Sequence, residues 1–274
     1  TNMVGMFYEC RSLTSLDLSG FDTSNVTAMN RMFMWCTRLT EVNISGFDSS
    51  KVNSMSDMFR ECYNLQTLDL GTFNNYNATT VSNMFSNCSN LRTIYVEGSD
   101  TKWKETKRIF NYNEYDESMF DNCNSLVGGT GVAFSDEENS SVLMAKVNGG
   151  YFTAKTHLVT IGTVTGGTVV ADVAQAAMNQ TVTLTATPDD AEMIVDYTVT
   201  DVNGNEIEVT DNQFTMPASD VTVTANFHYI TFTVQWKNGS EIVETDNVPY
   251  GTIPQFNGEA PFDYSDENND YTFS

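Results

Sequence analysis

Basic side chains are scarce in this chain. Thirteen Lys and Arg stand against 36 Asp and Glu in 274 residues, leaving a formal net charge of −23 and a pI near 4.1. Sequence-independent binding to nucleic acid needs Lys and Arg to neutralise phosphates, so this balance excludes it, and anionic lipid surfaces are disfavoured on the same ground. Long hydrophobic runs are missing as well. The longest small-and-apolar stretch, Val169 to Met178, is broken by Asp172 and falls far short of the roughly 20 apolar residues that span a bilayer as a helix. No direct membrane insertion is expected.

Catalytic and metal-binding patterns are equally thin. Only two histidines occur, His157 and His228, and neither lies in an HExxH or GxSxG context. Both stand at edges of β-patterned segments and read as solvated joints. No CxxC pair exists, so a thiolate metal site is not expected. Residues 156–229 hold no lysine, which excludes a Lys–Asn isopeptide crosslink there. The chain is therefore expected to be no enzyme and to carry no catalytic residue, cofactor or resident metal. Weak Ca²⁺ binding by the acidic segments, including Asp266–Asp270, is the one cation chemistry left open. The loop from Asp201 lacks the Gly at its sixth position and the Glu at its twelfth that a calcium loop uses, and reads as a hairpin turn.

What the chain does have is a charge step and a repeat. Residues 1–155 hold 12 of the 13 bases and 18 acids; residues 156–274 hold Lys237 and the other 18 acids, a net of −17. A step of this kind marks a domain boundary. Met-Phe recurs at Met6, Met32, Met58, Met84 and Met119, with spacings of 26, 26, 26 and 35. A Cys follows each Phe by three residues (Cys10, Cys36, Cys62, Cys88, Cys123) and a Leu follows three later (Leu13, Leu39, Leu65, Leu91, Leu126). Cysteines in register on consecutive rungs stand too far apart for a disulfide, so they read as a buried column of small apolar thiols.

Within a unit the apolar period changes. Leu16 and Leu18 alternate as a short strand does, whereas Val26, Met29, Met32, Phe33 and Cys36 recur at three- and four-residue steps and predict a short helix. Asp22, Thr23, Ser24 and Asn25 between them favour turns and helix caps. One strand, one turn and one helical segment per unit predicts a stacked α/β leucine-rich repeat solenoid. Residues 3–128, with Met-Phe, Cys, Leu-x-x-Leu-Asp-Leu-Ser and Phe-Asp-Thr-Ser-Asn-Val-Thr-x-Met in the first unit, resemble the BspA-type leucine-rich repeat of bacterial surface proteins. The run Ser125–Lys155 resembles the segment that closes such arrays. The chain opens in mid-unit and its last module stops short of the usual ending, so it reads as a piece of a longer protein.

From His157 the pattern is strict alternation of β-branched residues with turns, enough for about seven short strands. That segment resembles the divergent internalin-type B-repeat. Residues 229–274, with Trp236-Lys-Asn-Gly-Ser as a hairpin turn, resemble the Listeria–Bacteroides repeat, which implies a β-grasp-like fold. The expected layout is a solenoid at 1–128, a cap at 129–155, a small all-β repeat at 156–228 and a truncated β-grasp-like repeat at 229–274. The fold class is β-rich throughout.

Two surfaces are candidates for binding. The nine-residue excess in the last repeat places Lys102, Lys104, Lys107 and Arg108 among Trp103, Tyr112 and Tyr115, and inserts in repeat arrays map to one face, often the binding face. The same insert also reads as a short amphipathic helix covering the array end, with Trp103 and Phe110 inward. The second surface is the outward strand row that includes Asp17, Asn43, Asp69 and Tyr95. The resemblances imply an extracellular, cell-surface adhesion module, monomeric, with a protein or glycan ligand and an acidic stalk. The alternative is a structural spacer whose ligand site lies elsewhere.

Overall fold

A computed structural model describes residues 1–71, 73–98, 103, 107–108, 111–115, 118–135, 141–258, 264–265 and 270–271. In the array, short strands β1 (Ser15–Asp17), β2 (Glu41–Asn43), β3 (Thr67–Asp69) and β4 (Thr93–Val96) lie one per unit. β1 pairs with β2 and β3 with β4, all parallel, and the register is the sequence period: Ser15 faces Glu41, and Thr67 faces Thr93. On the opposite edge, parallel bridges join Asn2, Ala28, Ser54 and Thr80 with the same 26-residue step.

The predicted helical segment is not a helix. The N–H groups of Gly5, Phe7 and Glu9 donate to carbonyls of the next rung (Asn30, Met32, Met34), while those of Met6, Tyr8 and Cys10 turn back to Met3, Gly5 and Phe7. Each rung edge is thus a chain of tight turns. They demand left-handed backbone at two positions per unit, occupied by Gly5, Arg31, Asp57 and Asn83 and by Glu9, Trp35, Glu61, Asn87 and Asn122, with φ between 55° and 65°. An α-helix needs negative φ at every residue, so these positions interrupt it every few residues. The three- and four-residue apolar steps arise because each turn returns the chain to the core after that many residues. Among the described residues the only helix is a 3₁₀ turn, Val142–Met144.

The core runs along the stack as side-chain columns. Phe7, Phe33, Phe59, Phe85 and Phe120 stack face to face at centroid distances of 5.5, 5.1, 5.8 and 5.5 Å. Burial of such a ring contributes about 1.5–3 kcal/mol, and each ring pair adds about 0.5–1.5 kcal/mol. Leu39, Leu65, Leu91 and Leu126 form a parallel column with no exposed surface. A buried polar column runs beside them. The Thr23 hydroxyl donates to the Asp48 carbonyl (3.1 Å) and accepts from its amide (2.7 Å), and Ser49 does the same with Asn74.

In the last unit β5 (Lys107–Arg108) and β6 (Asn111–Tyr115) pair as an antiparallel hairpin. β7 (Phe152–Ala154) then takes the strand position beside β4, in parallel. Tyr151 and Phe152 meet Phe120 edge-on at 5.2 and 6.5 Å. The phenylalanine stack therefore ends against ring edges and not in water.

A single residue, Lys155, separates β7 from β8 (Thr156–Thr165), the first strand of the next module. There follow β9 (Gly167–Ala171), β10 (Gln175–Ala177), β11 (Thr181–Pro188), β12 (Met193–Asp201), β13 (Glu206–Ile207), β14 (Gln213–Thr215) and β15 (Val221–Tyr229). That is eight strands against about seven expected. They form a five-stranded sheet, β10-β8-β15-β12-β13, and a three-stranded sheet, β14-β11-β9. All pairings are antiparallel except β8 with β15. Val182, Leu184, Val199, Phe214, Val221 and Val223 fill the space between them. At Gly167 an added Cβ would lie 2.6 Å from the Thr187 carbonyl and 2.7 Å from the Phe227 ring, so the chain can cross between the sheets there only without a side chain.

The remaining described residues form a hairpin of β16 (Thr231–Asn238) and β17 (Glu241–Pro249), and a short pair, β18 (Tyr264–Ser265) with β19 (Asp270–Tyr271). The molecule is β-rich, with no closed barrel among its described sheets. No described helix is long and apolar enough to cross a membrane.

Candidate functional site

The strand-row residues are engaged in holding the rungs. Asp17, Asn43 and Asp69 each accept the amide of the residue two places on (Ser19, Ser45 and Gly71) at 3.0, 3.1 and 2.8 Å. These are Asx turns, which close the strand before the chain bends. The Ser19 backbone and hydroxyl hold the Asp17 carboxyl below the usual aspartate range. Tyr95 differs: it lies on β4 with 37% of its surface exposed.

The insert is divided. Trp103 is 2% exposed and belongs to the core, edge-on to Phe152 at 5.4 Å and beside Phe73 at 6.3 Å, with its amide on the Ala145 carbonyl. It packs inward, as the covering reading of the insert expects, although hairpin β5–β6 stands where that reading places a helix. Lys107 and Arg108 lie on β5, and Tyr112 and Tyr115 on β6. Lys102 and Lys104 lie outside the described residues.

A cluster that the sequence reading missed lies on the turn edge of the first three rungs. Tyr8 stacks on Trp35 at 5.8 Å, and the Arg11 guanidinium lies 5.2 Å from the same indole centroid. The Arg11 charge reaches both the Tyr8 and Tyr63 hydroxyls. Tyr63 donates to Glu61 at 2.8 Å, and that hydrogen bond, ahead of desolvation, raises its pKa. Arg11 pairs with Glu9 (3.3 Å), and Arg31 and Arg60 with Asp57 (3.7 and 3.3 Å). Tyr8, Trp35 and Tyr63 follow their Phe by one, two and four residues respectively. They form no column, which is why periodicity does not reveal them.

At the junction with β8, Glu97 is 8% exposed and meets two basic side chains. His157 Nε2 lies 2.9 Å from one carboxylate oxygen, and Lys155 Nζ lies 3.6 Å from the other. Lys155 also binds Asp69 at 2.8 Å, and Asp220 stands 3.9 Å from His157 Nδ1. Burial opposes the Lys155 charge, but Asp69 and Glu97 outweigh it, so its pKa stands above the usual lysine value. His157 is therefore not the solvated joint the sequence suggested; its ring is buried between the two parts. His228 faces Asp196 at 3.4 Å.

None of the five thiols is in a disulfide. Cys36, Cys62, Cys88 and Cys123 are buried and donate to the Phe7, Phe33, Phe59 and Phe85 carbonyls at 3.0–3.2 Å. Burial pushes Cys36 up to about 11, and Cys62 and Cys88 further still. Such thiols are poor nucleophiles. The Asp201 carboxylate is taken up by Asn203 and Asn205 of its own turn, which closes the β12–β13 hairpin. Among the described residues no group of three His, Cys, Asp or Glu side chains is arranged to hold a metal.

These features define a β-rich repeat stack joined without a linker to a small β module. Residues 1–128 match the family model described as a Mycoplasma protein of unknown function, DUF285, and residues 157–231 match that of the divergent InlB B-repeat domain. Both are repeat families compatible with a bacterial surface protein. The second is the family that the β-patterned segment resembles; the first carries a different description from the BspA-type repeat. No curated protein and no solved structure matches the chain.

Proposed function

We propose that the chain is a non-enzymatic binding module of a bacterial cell-surface protein, its stack a leucine-rich-repeat-type solenoid that presents an extracellular macromolecular ligand surface. One observation carries the reading. Residues 26 apart pair rung to rung over a continuous apolar core, so side chains outside the columns are free to vary without disturbing the scaffold. The junction at Lys155, Glu97 and His157 holds this surface directly on the acidic β module, which would project it outward as a stalk. Mutual repulsion among modules carrying a net −17 favours extension.

The test is retention of the labelled 274-residue chain on epithelial cells and on immobilised collagen, fibronectin and mucin. Saturable retention that unlabelled chain competes away supports the reading. Absence of retention on every surface overturns it in favour of the spacer role.

A further inference from the structure

We propose that the turn edge of the first three rungs, centred on Trp35, is a platform for a neutral oligosaccharide; this rests on reading the chain as a surface-binding module. Trp35 stands in left-handed backbone at φ 65°, a conformation that bulky side chains rarely adopt. Of the five residues at this point, Glu9, Trp35, Glu61, Asn87 and Asn122, it is the one aromatic ring, and Asn tolerates that backbone far better. The indole Nε1–H is buried with no acceptor, a further cost at this position. The turn demands this backbone of every rung, but not a large ring, so the ring itself is the feature that the scaffold leaves unexplained.

The surroundings specify the ligand. Tyr8 and Tyr63 expose 42% and 40% of their surfaces, and the Arg11 charge is felt at both hydroxyls. Trp35 supports Tyr8 by stacking and Arg11 through its ring. The charges in the cluster balance, with Arg11, Arg31 and Arg60 against Glu9, Asp57 and Glu61. An anionic ligand therefore meets no net attraction here, in a chain of −23, and a cationic one is drawn to the acidic modules instead. A hydroxyl-rich ring suits the cluster: its C–H face packs on tyrosine, and its hydroxyls donate to carboxylates and accept from guanidinium.

The experiment is calorimetry on the intact chain with neutral gluco-, manno- and galacto-hexaoses, beside a hexauronate and an acidic peptide. Trp35→Asn removes the ring and relieves the backbone. The expected result is binding of at least one neutral hexaose, weakened about tenfold or more in Trp35→Asn, with an unchanged or higher Tm. The Tyr8→Ala/Tyr63→Ala double variant, which alters only half-exposed rings, tests the same point if Trp35→Asn does not fold. No hexaose binding at millimolar concentration, binding indifferent to these variants, or binding of the hexauronate or peptide alone would overturn the proposal. Retention on cells by a chain that ignores all three hexaoses sinks this inference and leaves the surface-binding reading standing.

Discussion

The array and the module after it are both β structures, yet they are stabilised along different directions. In the array each strand is only three or four residues long, and the core lies along the stack, where each Phe ring stacks on its equivalent one rung away and each buried thiol donates to the Phe carbonyl of the rung before. In residues 156–229 the strands reach ten residues, and cohesion comes from long antiparallel ladders with apolar side chains on one face. A defect in the array is thus felt by the two neighbouring rungs, as in any one-dimensional stack. A defect in the module falls on one shared core.

That contrast can be broken by substitution. Phe59→Ala removes a ring stacked on both faces with no exposed surface, and should cost about 3–5 kcal/mol. Denaturant unfolding followed by residue-resolved hydrogen exchange should show protection lost in rungs two to four and kept in residues 156–229. Leu184→Ala should do the reverse, costing roughly 2–5 kcal/mol in the module alone. Equal loss in both parts from either variant would show that they unfold as one unit.

The junction tests whether the parts are mechanically joined. Glu97→Ala removes the carboxylate shared by Lys155 and His157 and leaves Lys155 on Asp69 alone; with Lys155 about a third exposed, the cost should be about 1–3 kcal/mol, below that of a fully buried pair. Small-angle scattering should show the two parts reorienting. Because the Lys155 pKa is raised, its contribution is fully present below the unfolded lysine value of about 10.4 and is lost only as pH climbs through the higher folded one. The turn carboxylates Asp17, Asp22 and Asp48, held down by Ser19, Ser24 and Ser50, work in the opposite direction. Their contribution is present above about pH 3.9 and fades as pH falls through the lower folded values. Circular dichroism melts across pH should therefore show an array stable from about pH 4 to 10.

The smallest effect concerns the turns. Arg31→Gly relieves left-handed backbone at the place where the first unit has Gly5, and should change stability by less than about 1 kcal/mol, toward stabilisation. Pro or Val there should destabilise the array strongly. A helix at this edge would rank the three residues differently and would be broken by Gly as well.

Much of the array was legible because residue i and residue i+26 are both sequence equivalents and spatial neighbours. The thiol column follows from residue type and spacing, whereas for Trp103 the sequence left a binding role and inward packing both open, and the fold buries it. The turn edge was not legible: consecutive tight turns and one face of a helix bring apolar residues inward at the same three- and four-residue steps, and only backbone φ separates them. The strand row was read as exposed contact positions because alternation shows which way Asp17, Asn43 and Asp69 point, but not that their side chains close their own turns.

Sequence alone determined the repeat, the acidity of the second half and the hairpins at Asp201 and Lys237. Each is a local or strictly periodic property, carried by a few neighbouring residues. Tertiary structure alone decided the parallel pairing of β8 with β15, the burial of His157 against Glu97 and the meeting of Tyr8, Trp35 and Arg11. Those contacts join side chains with no common position in any repeat or alternation, and they exist only once the chain has folded back on itself.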